Sequence, residues 1–134
     1  MIRNISVFLL LLILSGCGHG LVGKLPTIDD PNYASGIVFI RECEYVRYEG
    51  VLLISIDGDE LFRIGPCQYT MFNLKSGQHN ILMEGFVVNY DLNVNLLPGN
   101  KYYYLATVVN YDISAIPDSI AISKIVGFTN KDKY

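Results

Sequence analysis

Val51-Leu52-Leu53-Ile54-Ser55-Ile56-Asp57-Gly58-Asp59-Glu60-Leu61-Phe62-Arg63-Ile64 is the stretch that decides the fold. An apolar, β-branched run meets an Asp-Gly pair, and a second apolar run follows. Two strand-forming runs joined by Asp-Gly predict a β-hairpin, because the reversal needs positive φ and glycine takes it without a steric cost. Asp57, Asp59 and Glu60 crowd around this turn. The longer spacing of an EF-hand is absent, so they read as a solvated turn and not as a calcium loop.

The same grammar continues toward the C-terminus. Gly65-Pro66 makes a turn and delivers Cys67, 69–74 reads as a strand, and Lys75-Ser76-Gly77-Gln78 turns again. The next strand is expected over 79–86. In 87–96, Val88, Tyr90, Leu92, Val94 and Leu96 alternate with Asn89, Asp91, Asn93 and Asn95. That period of two is a strand with one face in water; a helix would scatter these apolar residues around its circumference. Leu97-Pro98-Gly99-Asn100 turns into a Tyr-rich strand over 101–109. Tyr102, Tyr103 and Tyr104 must divide between its two faces, so either Tyr102 and Tyr104 or Tyr103 points outward as a candidate contact surface. A loop is expected over 110–118. The period over 119–128 suits a last strand or a short helix, and 129–134 reads as a charged tail. Leu74-Lys75-Ser76-Gly77 and Leu96-Leu97-Pro98-Gly99 echo one another between strands, as two hairpins of one meander or Greek key would.

Toward the N-terminus, 37–40 is a candidate first strand. The alternation over 41–48 sets Arg41, Cys43, Tyr45 and Arg47 against Glu42, Glu44, Val46 and Tyr48, which fits a solvent-edged strand end or a loop. Before it, Gly18, Gly20, Gly23, Pro26, Asp29, Asp30 and Pro31 interrupt any apolar period, so 17–35 is expected to be a flexible tether.

The first residues are different in kind. Arg3 precedes an uncharged apolar run over 7–14. As a helix that run covers about 12 to 15 Å, roughly half of a bilayer's hydrocarbon core. It is too short to span and matches the apolar region of a secretory signal. Leu14-Ser15-Gly16-Cys17 follows. A plain signal peptide with an incidental cysteine would also carry small residues there. A leucine three positions before the cysteine, with two small residues between, resembles the lipobox of bacterial lipoproteins. The resemblance implies cleavage after residue 16, diacylglycerol on the Cys17 sulfur, and a membrane anchor with no transmembrane helix. The implied address is the bacterial cell envelope. In a Gram-negative host, Gly18 in place of Asp implies the outer membrane, facing the periplasm.

Composition narrows the function. Loss of residues 1–16 takes Lys+Arg from 10 to 9 against 13 Asp+Glu, a net charge of −4, with no basic stripe for nucleic acid. With Cys17 lipidated, Cys43 and Cys67 remain, and an oxidising compartment favours a disulfide between them over two reduced thiols. No CxxC and no pair of His at ligand spacing occurs, so neither a metal nor another cofactor is expected. There is no G-x-S-x-G, and of two His only His79 lies in the folded part. A non-enzymatic role is therefore expected. A contact between His79 and a carboxylate is the observation that would reopen an enzymatic one.

The pattern of Asp57, Gly58, Leu74, Gly77, His79, Leu96, Pro98, Gly99, Tyr102 and Tyr103 resembles small uncharacterised bacterial lipoproteins related to PEGA and carboxypeptidase-regulatory-like domains. It covers about half of the mature chain. It implies an all-β fold, a small immunoglobulin-like or transthyretin-like antiparallel β-sandwich, and no catalytic residues. The expected organisation is a signal over 1–16, a lipid-anchored tether over 17–35, a β-sandwich over 36–128 and a tail over 129–134. The expected role is a structural or accessory one at the envelope, through contact with another envelope protein. The alternative is a binding module for peptidoglycan, another glycan or a small ligand. The sequence does not address the oligomeric state.

Overall fold

Asp57 and Gly58 turn the chain as their identities demand. Both have positive φ, 52° and 88°, which is the requirement of a tight two-residue hairpin. The computed structural model describes residues 20–21, 23–43, 50–85, 89–110, 112–126 and 128–130. The signal, the Leu14–Cys17 motif and His19 lie outside them. In chain order the elements are β1 (Gly20–Leu21), a 3-10 turn (Pro31–Tyr33), β2 (Ala34–Arg41), β3 (Leu52–Ile56), β4 (Asp59–Ile64) and β5 (Gln68–Lys75). They continue with β6 (Gly77–Glu84), β7 (Asn89–Leu96), β8 (Lys101–Thr107), β9 (Asp112–Ala115), α1 (Asp118–Ile125) and β10 (Thr129–Asn130).

The strands form two five-stranded sheets, in the orders β1-β4-β3-β6-β7 and β10-β5-β2-β8-β9. The fold is an all-β sandwich, as expected. Six of the eight strand pairings are antiparallel; β2–β8 and β10–β5 are parallel. Parallel neighbours need a long crossover. Here the chain leaves β2 and passes through both sheets before returning as β8.

Alternating residues from both sheets meet between them. Phe39 and Phe72 of one sheet pack on Phe62 of the other, with ring centroids 5.6 and 5.4 Å apart. Ile37, Leu52, Ile54, Ile64, Leu74, Ile81 and Met83 are buried around them. The outer face of the β2 sheet carries a second cluster, Val38, Ile40, Leu105 and Ala121, closed by α1. β2 is thus central in its sheet and covered on both faces. That explains the unbroken apolar run Ile37–Ile40, which a strand wet on one face would not have.

Three segments and Arg41 depart from the sequence reading: the expected tether, the expected tail, and 110–118, where the strand β9 stands in the expected loop. Within the expected tether, Gly20 and Leu21 pair with Arg63 and Phe62, and the Gly23 N–H donates to the Leu61 carbonyl at 3.1 Å. Asp30 then caps the 3-10 turn by accepting from the Asn32 N–H at 2.9 Å. β2 begins at Ala34, and Thr129–Asn130 of the expected tail joins β5. Of the strand and the short helix left open over 119–128, the helix is observed: Ala121 and Ile125, four apart, face the sheet, while Ile120 and Ile122 are exposed. Arg41, placed on an alternation that suggested solvent, is fully buried, and its Nη1 donates to the Ile64 carbonyl at 3.5 Å.

Candidate functional site

The strand ends sort into two poles. At one pole lie the turns Asp57-Gly58, Ser76 and Leu97–Asn100, together with the 3-10 turn. The Ser76 N–H donates to the Tyr33 carbonyl at 2.6 Å, and the Gly99 N–H to the Ala34 carbonyl at 2.9 Å. Ser35 Oγ donates to the Leu97 carbonyl at 2.7 Å. We call this the turn pole. At the other lies Gly65–Cys67 with the Cys43–Cys67 disulfide, whose Cα atoms are 4.4 Å apart. We call this the disulfide pole. The expected cysteine pairing is therefore present.

His79 and a carboxylate do meet. Its Nδ1 lies 2.5 Å from Asp57 Oδ2, and its Nε2 lies 2.5 Å from the Lys75 carbonyl oxygen. Asp57 Oδ1 accepts from the Asn80 N–H at 2.8 Å, and the Asp57 N–H donates to the Asn80 carbonyl at 2.9 Å. Both ring nitrogens thus face oxygen atoms of the fold. The side chains clip the β3–β4 turn to the start of β6.

Beside the clip, the outward face of β6 and β7 is a polar lattice. Register sets Gln78 opposite Asn95 and Asn80 opposite Asn93. Asn80 Nδ2 donates to Asp91 Oδ1 and, at 3.1 Å, to Asn93 Oδ1. An open cleft of about 370 Å³ lies here, lined by Asp57, Gln78, His79, Asn80, Asn93, Val94 and Asn95. Amides supply donors and acceptors together, so the cleft suits a polar ligand. Its lining has no Ser, Thr or Cys to act as a nucleophile. Among the described residues no group of three or more His, Cys, Asp or Glu could hold a metal ion.

A second cleft, of about 380 Å³, lies on the outer face of the other sheet. Its floor is Gly36, where a Cβ would come within 3.5 Å of Lys101 Cγ and 3.7 Å of Asn73 Oδ1. Met71, Asn73 and Lys101 form its walls.

The tyrosine triplet does not make one outward patch. Tyr104 is buried and stacks on Tyr102 at 6.5 Å, and both pack on the central core. Tyr103 faces the other way, half-buried against the α1 cluster, with Lys101 Nζ 5.7 Å from its ring centroid. Burial disfavours the phenolates of both Tyr103 and Tyr104 and raises their pKa above the ordinary value; for Tyr103 the charge of Asp118, and a hydrogen bond to it, act in the same direction. Near the disulfide pole Lys124 pairs with Glu42. Burial works against the Glu42 charge. The hydrogen bonds from Lys124 and the Cys43 N–H, with the Lys124 charge, outweigh it and hold Glu42 below its ordinary value.

The Asp57–His79 clip was not visible in the sequence, because the pairing of β3 with β6 that closes 22 positions is a tertiary fact. The asparagines of β7 were visible as a wet face, although nothing in their spacing joined them to Asp57. Among the described residues no helix is long and apolar enough to cross a membrane. Comparison of the chain with protein families, with curated proteins and with solved structures finds no match.

Proposed function

We propose that this chain is a lipoprotein of the bacterial envelope, anchored through lipid at Cys17, whose sandwich acts by contact with another envelope protein and not by catalysis. The observation that carries the reading is β7. It is an eight-residue strand at the end of its sheet's order, and Asn89, Asp91, Asn93 and Asn95 on its outward face are all exposed. An edge strand of that length offers main-chain donors and acceptors to an added strand, while its side chains select the partner. The engagement of both His79 nitrogens argues on the same side, since a general base needs a nitrogen within reach of the reacting proton.

Photo-crosslinking in cells tests this. A photoreactive residue at Asn93 or Asn95 is expected to give a discrete adduct, and the same residue at Glu60, near the opposite edge, none. Adducts at all three positions, or at none, would overturn the edge-strand reading.

The carboxamide-lined cleft favours a second reading, a site for a glycan. Soluble peptidoglycan fragments are then expected to shift the side-chain amide resonances of Gln78, Asn80 and Asn95. Unchanged resonances at millimolar fragment would remove it.

A further inference from the structure

The pairing of β1 with β4 determines which pole an anchor at Cys17 can reach. Gly20 sits opposite Arg63 and Leu21 opposite Phe62, antiparallel. Followed backward, β1 therefore points past Ile64 toward Gly65 and the disulfide. Three positions separate Gly20 from Cys17. An extended chain covers at most about 3.3 to 3.6 Å per residue, so Cys17 lies within roughly 10 Å of Gly20. The turn pole begins at Asp59, four residues or about 13 Å back along β4, in the direction opposite to that in which the chain leaves.

A second, independent feature marks the same pole. Val51, Val109 and Val126 are 36%, 60% and 76% exposed. Val51 precedes β3, Val109 follows β8, and Val126 follows α1, at strand or helix ends that register and the Lys124–Glu42 pair place toward the disulfide pole. Exposed Arg63, next to Gly20, adds a cation there. The turn pole also exposes Tyr33 and Leu97, but Asp57, Asp59, Lys75 and Asn100 are exposed around them. Glu42, Lys124, Glu84 and Asp112 also lie toward the disulfide pole, so the exposed valines and the distance from the anchor, and not charge, tell the two poles apart.

We propose that the disulfide pole rests on the lipid surface, with Val51, Val109 and Val126 toward the headgroups and acyl chains, and that the turn pole and both clefts face away from the membrane. This rests on the reading of Cys17 as the lipidated residue. The eight-residue strands β5, β6 and β7 hold the turn pole about 26 Å from the lipid. The domain is then a post of set orientation and not a ball on a loose string. Gly23 is what permits the docking of the N-terminal segment: a Cβ there would lie 2.0 Å from the Glu60 carbonyl oxygen.

The chain contains no Trp, so a single introduced one reports alone. Val109→Trp, Val126→Trp and Leu97→Trp are made in the full chain, purified with their lipid, and placed on phosphatidylethanolamine–phosphatidylglycerol vesicles with brominated acyl chains. Emission is expected to fall at least twofold for the first two and to stay unchanged for Leu97→Trp. Equal quenching at all three, quenching at Leu97→Trp alone, or none at Val109→Trp and Val126→Trp would overturn the orientation. Mass spectrometry of the same samples separates the two readings. An unmodified Cys17 removes the anchor and the orientation together, whereas a lipidated Cys17 with the wrong quenching pattern removes only the orientation. Gly23→Val, combined with each Trp, is expected to keep flotation with the vesicles and to lose the contrast between poles. A contrast that survives it would overturn β1 as the cause.

Discussion

Cys43 and Cys67 are 24 positions apart, and both flank the ends of antiparallel neighbours, β2 and β5. Closing a loop of that size in the unfolded chain stabilises the fold by roughly 3 kcal/mol. Replacing both by serine is expected to lower the unfolding free energy by that amount in urea melts, with a steeper slope as the unfolded chain expands, and reductant is expected to move the parent chain toward the variant. This pair was legible because cysteine arithmetic left two residues after Cys17. The Asp57–His79 clip was not, because it joins positions brought together only by sheet order. Asp57 is half exposed, so the side-chain contact with His79 itself contributes little. Asp57→Ala also leaves the Asn80 N–H without its carboxylate acceptor, and a loss of about 1 kcal/mol is expected in chemical denaturation. Glu42 titrates below its ordinary value of 4.5. Its contribution to stability is therefore present above pH 4.5 and lost as pH falls through the lowered value. Glu42→Gln is expected to converge with the parent chain in acid and to be the less stable at neutral pH, as thermal melts across that range would show.

Hairpin β3–β4 follows directly from Asp57-Gly58, since few other residue pairs accept positive φ at both positions. Gly99, at φ 74°, has the same role between β7 and β8. Gly99→Ala places a side chain in left-handed backbone and is expected to destabilise by about 1 kcal/mol, read as a lower melting temperature. β7 was legible from its alternation because one face is wet and the other packs on the core. α1 stayed ambiguous between strand and helix, since its exposed Ile120 and Ile122 imitate a strand's period, and the residue that docks the helix is the small Ala121. Ala121→Leu is expected to overpack the contact with Val38, Ile40 and Leu105 and to lose about 1 to 3 kcal/mol. Phe62→Ala, which removes the ring joining both sheets, is expected to lose about 3 to 5 kcal/mol.

At the scale of the molecule, apolar patterning shows where the longer strands lie and which of their faces are dry, but not which sheet each one joins. The parallel pairing of β2 with β8 arises from closing both sheets around one core, and no local signal encodes it. The same limit hid the docking of residues 20–23, because a two-residue strand rich in glycine leaves no periodicity. That short strand has a mechanical meaning. Among the described residues, a load drawn from the N-terminus meets the two residue pairs of β1, the Gly23 bond and the Ser76 bonds to the Tyr33 carbonyl before it meets β2, which is laced into two neighbours and stapled by the disulfide. Peeling residues 20–33 away releases 14 positions of slack, about 46 to 50 Å when drawn taut. Pulling on a single molecule is expected to show this lengthening as an early, low-force, reversible step, followed by rupture of the sandwich at much higher force. The fold thus contains its own fuse, a short segment that yields before the sandwich does and closes again when the load is removed.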